Sequence, residues 1–359
     1  MAQSTWQDVQ FKYYWSENER LKAAIEDGRF DTTYTMPGLK SDETLPDKMA
    51  QTVFQMTGNQ VTRPTVPQTL DGLKQLIGSG HLRSAYNLTT VLLANYGQGV
   101  GKAGYPTKNT FETFEIWSGR FQLMVALKMF SQLEAELSAF DNLDAPDTYF
   151  QYYPELNQQG YCGSMIPYSL RLIHAEAPKY FGRAPEAIQR CYELEKNTRT
   201  ILEWLKNEKK PANELDLWKS RLEVVLMAKA RIWYSMKEFG QSMSIYNSLL
   251  DVVSDEKRSK LLQLLSRIAV VIGDEKLVER YTRELTIQNS GTQNFYLHKS
   301  FKAAFYGNYP KALEHLQTAQ KGTGGLSNPM VIIFIAQKSF DAFSAGKQRS
   351  ALSTLQWKS

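Results

Sequence analysis

A short motif recurs along the chain and constrains its fold more than any other feature: a glycine, four residues, then an alanine opening an apolar helical run. It stands as GHLRSAYNL from Gly80, GRAPEAIQRC from Gly182, GNYPKALEHL from Gly307 and GKQRSALSTL from Gly346, placing Ala85, Ala187, Ala312 and Ala351 at one offset. GDEKLVERY from Gly273 puts Val278 there, and two copies lack the glycine, KMFSQLEAEL from Lys128 and KEFGQSMSIY from Lys237. Glycine tolerates the positive φ of a tight turn between helices. A small residue five positions on lets the two axes approach to about 8–10 Å. A bulky replacement of Ala187 or Ala312 should then cost about 1–3 kcal/mol.

The turn positions are separated by 48, 54, 55, 36, 34 and 39 residues. The last four units lie near the period of about 34 residues that marks tetratricopeptide-type helix pairs. Such units bury their apolar faces only against each other. The expected fold is therefore all-α, a tetratricopeptide-like α-solenoid of about seven helix pairs over residues 67–359. The longer early gaps imply insertions at about 96–109, 140–166 and 195–214, collected along an edge of the stack. Residues 1–66, with Pro37, Pro46 and Pro64 and only brief helical periodicity around Glu17 to Glu26, read as an extended arm, ordered where something holds it.

The first insertion, YGQGVGKAGYPT from Tyr96, invites comparison with a phosphate loop. A P-loop requires glycine six residues before the final Lys and a hydroxyl directly after it. Tyr96 and Ala103 occupy those places, and a dinucleotide G-x-G-x-x-G pattern meets Lys102 where its third glycine belongs. The stretch reads as a connector between repeats, which makes a nucleotide enzyme a distant third reading.

No chemistry is signalled elsewhere. The four histidines, His81, His174, His298 and His315, lack metal-ligand spacing; His174 reads as a packed helix residue, and Glu134 and Glu136 as solvated helix positions. Neither nucleophile-elbow nor cysteine-histidine signatures occur, so catalytic, cofactor and metal residues are all expected to be none. The net charge of +5 is dispersed, and its densest cluster, Lys206 to Lys210, reads as a solvated helix end rather than a nucleic-acid contact. Two cysteines, Cys162 and Cys191, fit a reducing compartment. The opening residues lack a signal-peptide core, and the longest apolar run, Met330 to Ala336, is far too short to cross a bilayer. A cytoplasmic chain without direct membrane insertion is expected. The sequon Asn87-Leu88-Thr89 would be idle there.

What stands out is adhesive. Tyr149, Phe150, Tyr152 and Tyr153 crowd the second insertion, either tucked onto the solenoid edge or presented to a partner. Ile332, Ile333 and Phe334 in the final unit, with Trp357 near the end, form a second candidate docking surface.

Three stretches carry a resemblance: LIGSGHLRSAYNLTTVLLANYGQGVGKAG, FDNLDAPDTYFQYYPELNQQGYCGSMIPYSLRLIHAEAPKYFG and, in the arm, YTMPGL. They resemble the subunit 12 family of the metazoan trafficking protein particle (TRAPP) complex, also described as tetratricopeptide repeat proteins. The likeness is close over most of residues 34–200 and looser beyond. The arm is shorter than the long polar region that precedes the repeats in vertebrate relatives, so no function of that region carries over. The resemblance implies a non-catalytic subunit of the type III assembly, a tether and nucleotide-exchange complex for a Rab GTPase between endoplasmic reticulum and Golgi and in autophagy. It further implies a location peripheral to the early Golgi and the ER–Golgi intermediate compartment. This subunit would join the large subunits 11, 8 and 13 around the small-subunit core. The competing expectation is an adaptor that binds short linear peptide motifs in a groove.

Overall fold

The structure, a computed structural model, describes residues 10–26, 34–59, 64–140, 142–288 and 293–321. It is all-α, with 15 α-helices and no strand among the described residues. Two helices lie in the arm, α1 (Glu19–Glu26) and α2 (Lys48–Thr57). The repeats begin with α3 (Leu70–Gly78) and α4 (Leu82–Asn95), followed by α5 (Phe111–Ala126) and α6 (Phe130–Leu137). A short α7 (Pro154–Gln158) lies within the second insertion; α8 (Tyr168–Glu176) then leads through a 3-10 turn, Ala177–Phe181, into α9 (Ala184–Asn207). The chain continues through α10 (Ala212–Ser235), α11 (Phe239–Leu250), α12 (Asp255–Ile272), α13 (Glu275–Gln288), α14 (Gln293–Phe305) and α15 (Tyr309–Lys321). Sequential helices pack as pairs, in the manner of a helical-repeat solenoid.

The motif explains the pairs. At all six described turn positions the backbone is left-handed: φ is 78° at Gly80, 59° at Lys128, 78° at Gly182, 64° at Lys237, 81° at Gly273 and 72° at Gly307. The turn geometry is thus kept where glycine is absent. Five residues on, Ala85, Leu133, Ala187, Ser242, Val278 and Ala312 are each exposed by 1% or less. Leu133 shows that the station demands burial rather than a fixed small size; Ser242 meets it by donating to the Ala230 carbonyl at 2.9 Å. The seventh copy, from Gly346, lies outside the described residues.

The insertions take three forms. The first is a run of turns between α4 and α5, and the second holds α7 and three 3-10 turns between α6 and α8. The third lengthens α9 and α10 to 24 residues each, joined at Lys209 with φ 51°.

By contacts the chain divides into two compact units, residues 1–242 and 243–359. The core of the first centres on α5, started by a reciprocal Thr110–Thr113 capping box. Trp117 and Phe121 are fully buried and pack with Phe140 at ring-centroid distances of 5.3–5.4 Å. Burial of each such side chain contributes on the order of 1.5–3 kcal/mol. Inside the same core lies a charge: the Arg120 guanidinium, fully buried, donates to both oxygens of Glu136 at 2.6 and 2.9 Å. It also donates to Thr89, Thr90 and the Tyr86 hydroxyl. Glu136 is therefore not the solvated position expected, because a buried cation on α5 faces it; Glu134 does lie near the surface, pairing with Arg183. In the second unit, Leu261, Leu262, Leu265 and Ala269 of α12 are buried, as are Val278, Tyr281 and Leu285 of α13.

Candidate functional site

The most distinctive construction of the first unit is the seating of the arm. Residues 10–18 form a 3-10 turn, Gln10–Tyr13, and then a segment without regular structure leading to α1. Four carbonyls in this segment are received by groups far away in sequence. Trp218 Nε1 donates to Phe11 at 3.0 Å, Arg221 to Lys12 at 2.9 Å, the Ser164 amide to Tyr13 at 3.0 Å and the Tyr149 hydroxyl to Ser16 at 3.0 Å. Gly163 is required by this approach, because a Cβ there would overlap the Tyr13 carbonyl; its φ of 96° also favours glycine.

Side chains add ring contacts. Tyr13 meets Phe150 edge-on at 5.6 Å and Tyr14 meets Trp204 at 5.1 Å. Trp15 lies beneath the Arg171 guanidinium, 3.7 Å from the ring centroid, and its indole N–H donates to Asp144 at 2.9 Å. Arg171 itself pairs with the same carboxylate at 2.7 Å. Burial, then the charges of Glu115 and Glu112, pushes the Tyr13 phenol up to about 12, and burial lowers Arg221 to about 10.

The aromatic insertion is thus the other half of this joint. Tyr149, Phe150 and Tyr152 are buried and Tyr153 is half-buried. Of the two arrangements expected for them, the structure has the tucked one: these rings form the interior of the arm's seat, so truncating them would open that interior rather than trim an exposed contact. Ile332, Ile333, Phe334 and Trp357 lie outside the described residues.

The arm is held a second time. Residues 34–39 run beside the glycine-rich insertion, with the Met36 amide donating to Tyr105, Leu39 to Gln98, Gly104 to Met36 and Thr107 to Tyr34 at 2.8–3.2 Å. A Cβ on Gly38 would overlap the Ala103 amide. Lys102 lies over the Tyr105 ring instead of facing an anion site. The buried Gln98 side chain braces the loop, accepting from Trp117 Nε1 at 2.6 Å and donating to Asn109 at 2.9 Å. Asn87, the sequon residue, donates to and accepts from the Leu45 backbone at 3.0 and 2.8 Å. Residues 10–18, 34–39 and Leu45 of the arm are therefore held by the repeats and their insertions. Sequence reasoning missed the pairing, although two distant aromatic clusters, FKYYW and YFQYY, were its visible signal.

His174 is packed as expected, its Nε2 3.0 Å from an Arg190 nitrogen. Among the described residues no three His, Cys, Asp or Glu side chains gather as a metal site, and no helix is long and apolar enough to cross a membrane.

No protein-family model matches the chain. Among curated proteins, it is 33% identical to trafficking protein particle complex subunit 12 of Mus musculus over 271 residues, covering 70% of this chain and 34% of the mouse protein. It is 32% identical to the Homo sapiens protein of the same name over 271 residues, covering 36% of that protein. The chain thus matches only about a third of the length of these curated relatives.

Proposed function

Because the chain belongs to the trafficking protein particle complex subunit 12 family, we propose that it is a non-catalytic scaffold subunit of a TRAPP complex of the type III kind. In this reading it joins the large subunits 11, 8 and 13 by protein contacts around the small-subunit core that exchanges nucleotide on a Rab GTPase, at the early Golgi and ER–Golgi intermediate compartment and in autophagy. The observation that carries it is the similarity to the two curated relatives over 70% of the chain. Stacked helix pairs suit the role, since repeat units that contact their neighbours leave long surfaces for partners. Purification of the tagged chain from its cells, with mass spectrometry of what accompanies it, is expected to return large and small TRAPP subunits together. A folded, soluble chain that returns none of them would overturn the reading.

A further inference from the structure

The seat of residues 10–18 adjoins the core, with Tyr13, Tyr14 and Trp15 packed against buried clusters, and has the features of a peptide-binding groove as well. Recognition falls on main-chain carbonyls, those of Phe11, Lys12 and Tyr13 in the 3-10 turn and that of Ser16 beyond it, and donors from α10 and the second insertion supply it. Selectivity comes from rings: an aromatic at position 13 against Phe150, one at 14 against Trp204, and an indole at 15 under Arg171. This is the division of labour by which peptide segments are bound, main-chain hydrogen bonds giving affinity and side-chain pockets giving specificity.

A second observation is that the seated arm leaves an open cleft on each flank. A cavity of about 540 Å³ opens beside Tyr14 and Trp15, walled by Gln151, Thr200, Ile201 and Trp204. Another of about 350 Å³ opens beside Lys12 and Tyr13, walled by Glu115, Leu172, Leu217 and Arg221. Both clefts give side chains of an incoming peptide a place to enter beside the resident segment.

We propose that this groove is a peptide-binding site in which residues 10–18 are an exchangeable occupant in cis, and that it accepts in their place a peptide that forms a single turn and carries consecutive aromatic residues. The arm then acts as a built-in competitor that sets how readily such a segment gains access. The proposal does not depend on membership of any complex and is measured on the purified chain alone.

The test keeps the full chain: a protease site is introduced between residues 26 and 34 and cut after folding. A labelled synthetic peptide of residues 8–26 should then exchange into the cut chain at micromolar concentration and reach the uncut chain far more weakly. The same peptide with Trp15→Ala should bind about tenfold or more weakly, having lost the cation–π contact and the indole hydrogen bond. In the uncut chain, amides of residues 10–26 should exchange with deuterium faster than those of α8, α9 and α10. The proposal is overturned if the cut chain unfolds, if the labelled peptide never displaces the resident segment, if the Trp15→Ala peptide binds equally well, or if the arm is as protected as the helices around it.

Discussion

At the scale of single residues, two lysines occupy backbone that glycine suits better. Lys128 and Lys237 sit at φ 59° and 64° in the turns where other repeats have glycine. Left-handed backbone is costly for a side-chain-bearing residue. Lys128→Gly and Lys237→Gly should each raise stability by about 0.5–1 kcal/mol, read in urea unfolding. Arg120 behaves in the opposite way. Arg120→Met leaves the Glu136 carboxylate buried without its cation and should cost about 3–5 kcal/mol, whereas the double change with Glu136→Leu should recover most of that loss in the same assay. The sequence showed Arg120 only as a charge amid the apolar residues of α5, and Glu136 looked exposed because no local spacing pairs residues 16 apart. Acid supplies another measurement. Burial first, then the charge of Arg190, lowers His174 to about 3, while an unfolded histidine titrates near about 6.5. Above that value both states are neutral and pH has no effect through this group. Below it the unfolded chain gains a proton that the folded chain refuses, so stability falls as pH drops from about 6.5 towards 3. His298, lowered to about 4 mainly by burial, acts in the same direction. His174→Asn should make the decline shallower by up to about 1.4 kcal/mol per pH unit.

At the scale of elements, the arm joint makes the sharpest claim. Gly163→Ala places a methyl against the Tyr13 carbonyl and strains a backbone at φ 96°. Its expected effect is local: deuterium uptake at residues 10–26 rises, while uptake in α12 to α15 stays as it was. A rise spread over the whole chain would count against this reading. The contrast between the turns and the joint explains what was legible. The turn motif could be read because each copy is local, with glycine at the left-handed position and a buried residue five places on. The joint could not, because its partners lie 133 to 209 residues apart and its hydrogen bonds end on carbonyl oxygens, which every residue possesses. The glycine-rich stretch failed as a phosphate loop on spacing, but nothing nearby in sequence announced that its backbone would meet residues 34–39.

At the scale of the whole molecule, the division near residue 242 predicts a calorimetric unfolding trace with two components, of which Arg120→Met moves only one. A single transition displaced as a block would contradict it. One consequence follows from the pairing of residues 34–39 with the glycine-rich insertion. Backbone amides and carbonyls make that pairing, and Gly38 fits because it carries no side chain. Substitutions at the exposed positions of the insertion then leave the pairing intact, but a change in its length does not. Loss of a single residue between Gln98 and Gly104 would set the partners on its two sides out of step and be felt about 60–70 residues upstream, where the arm takes its bearings.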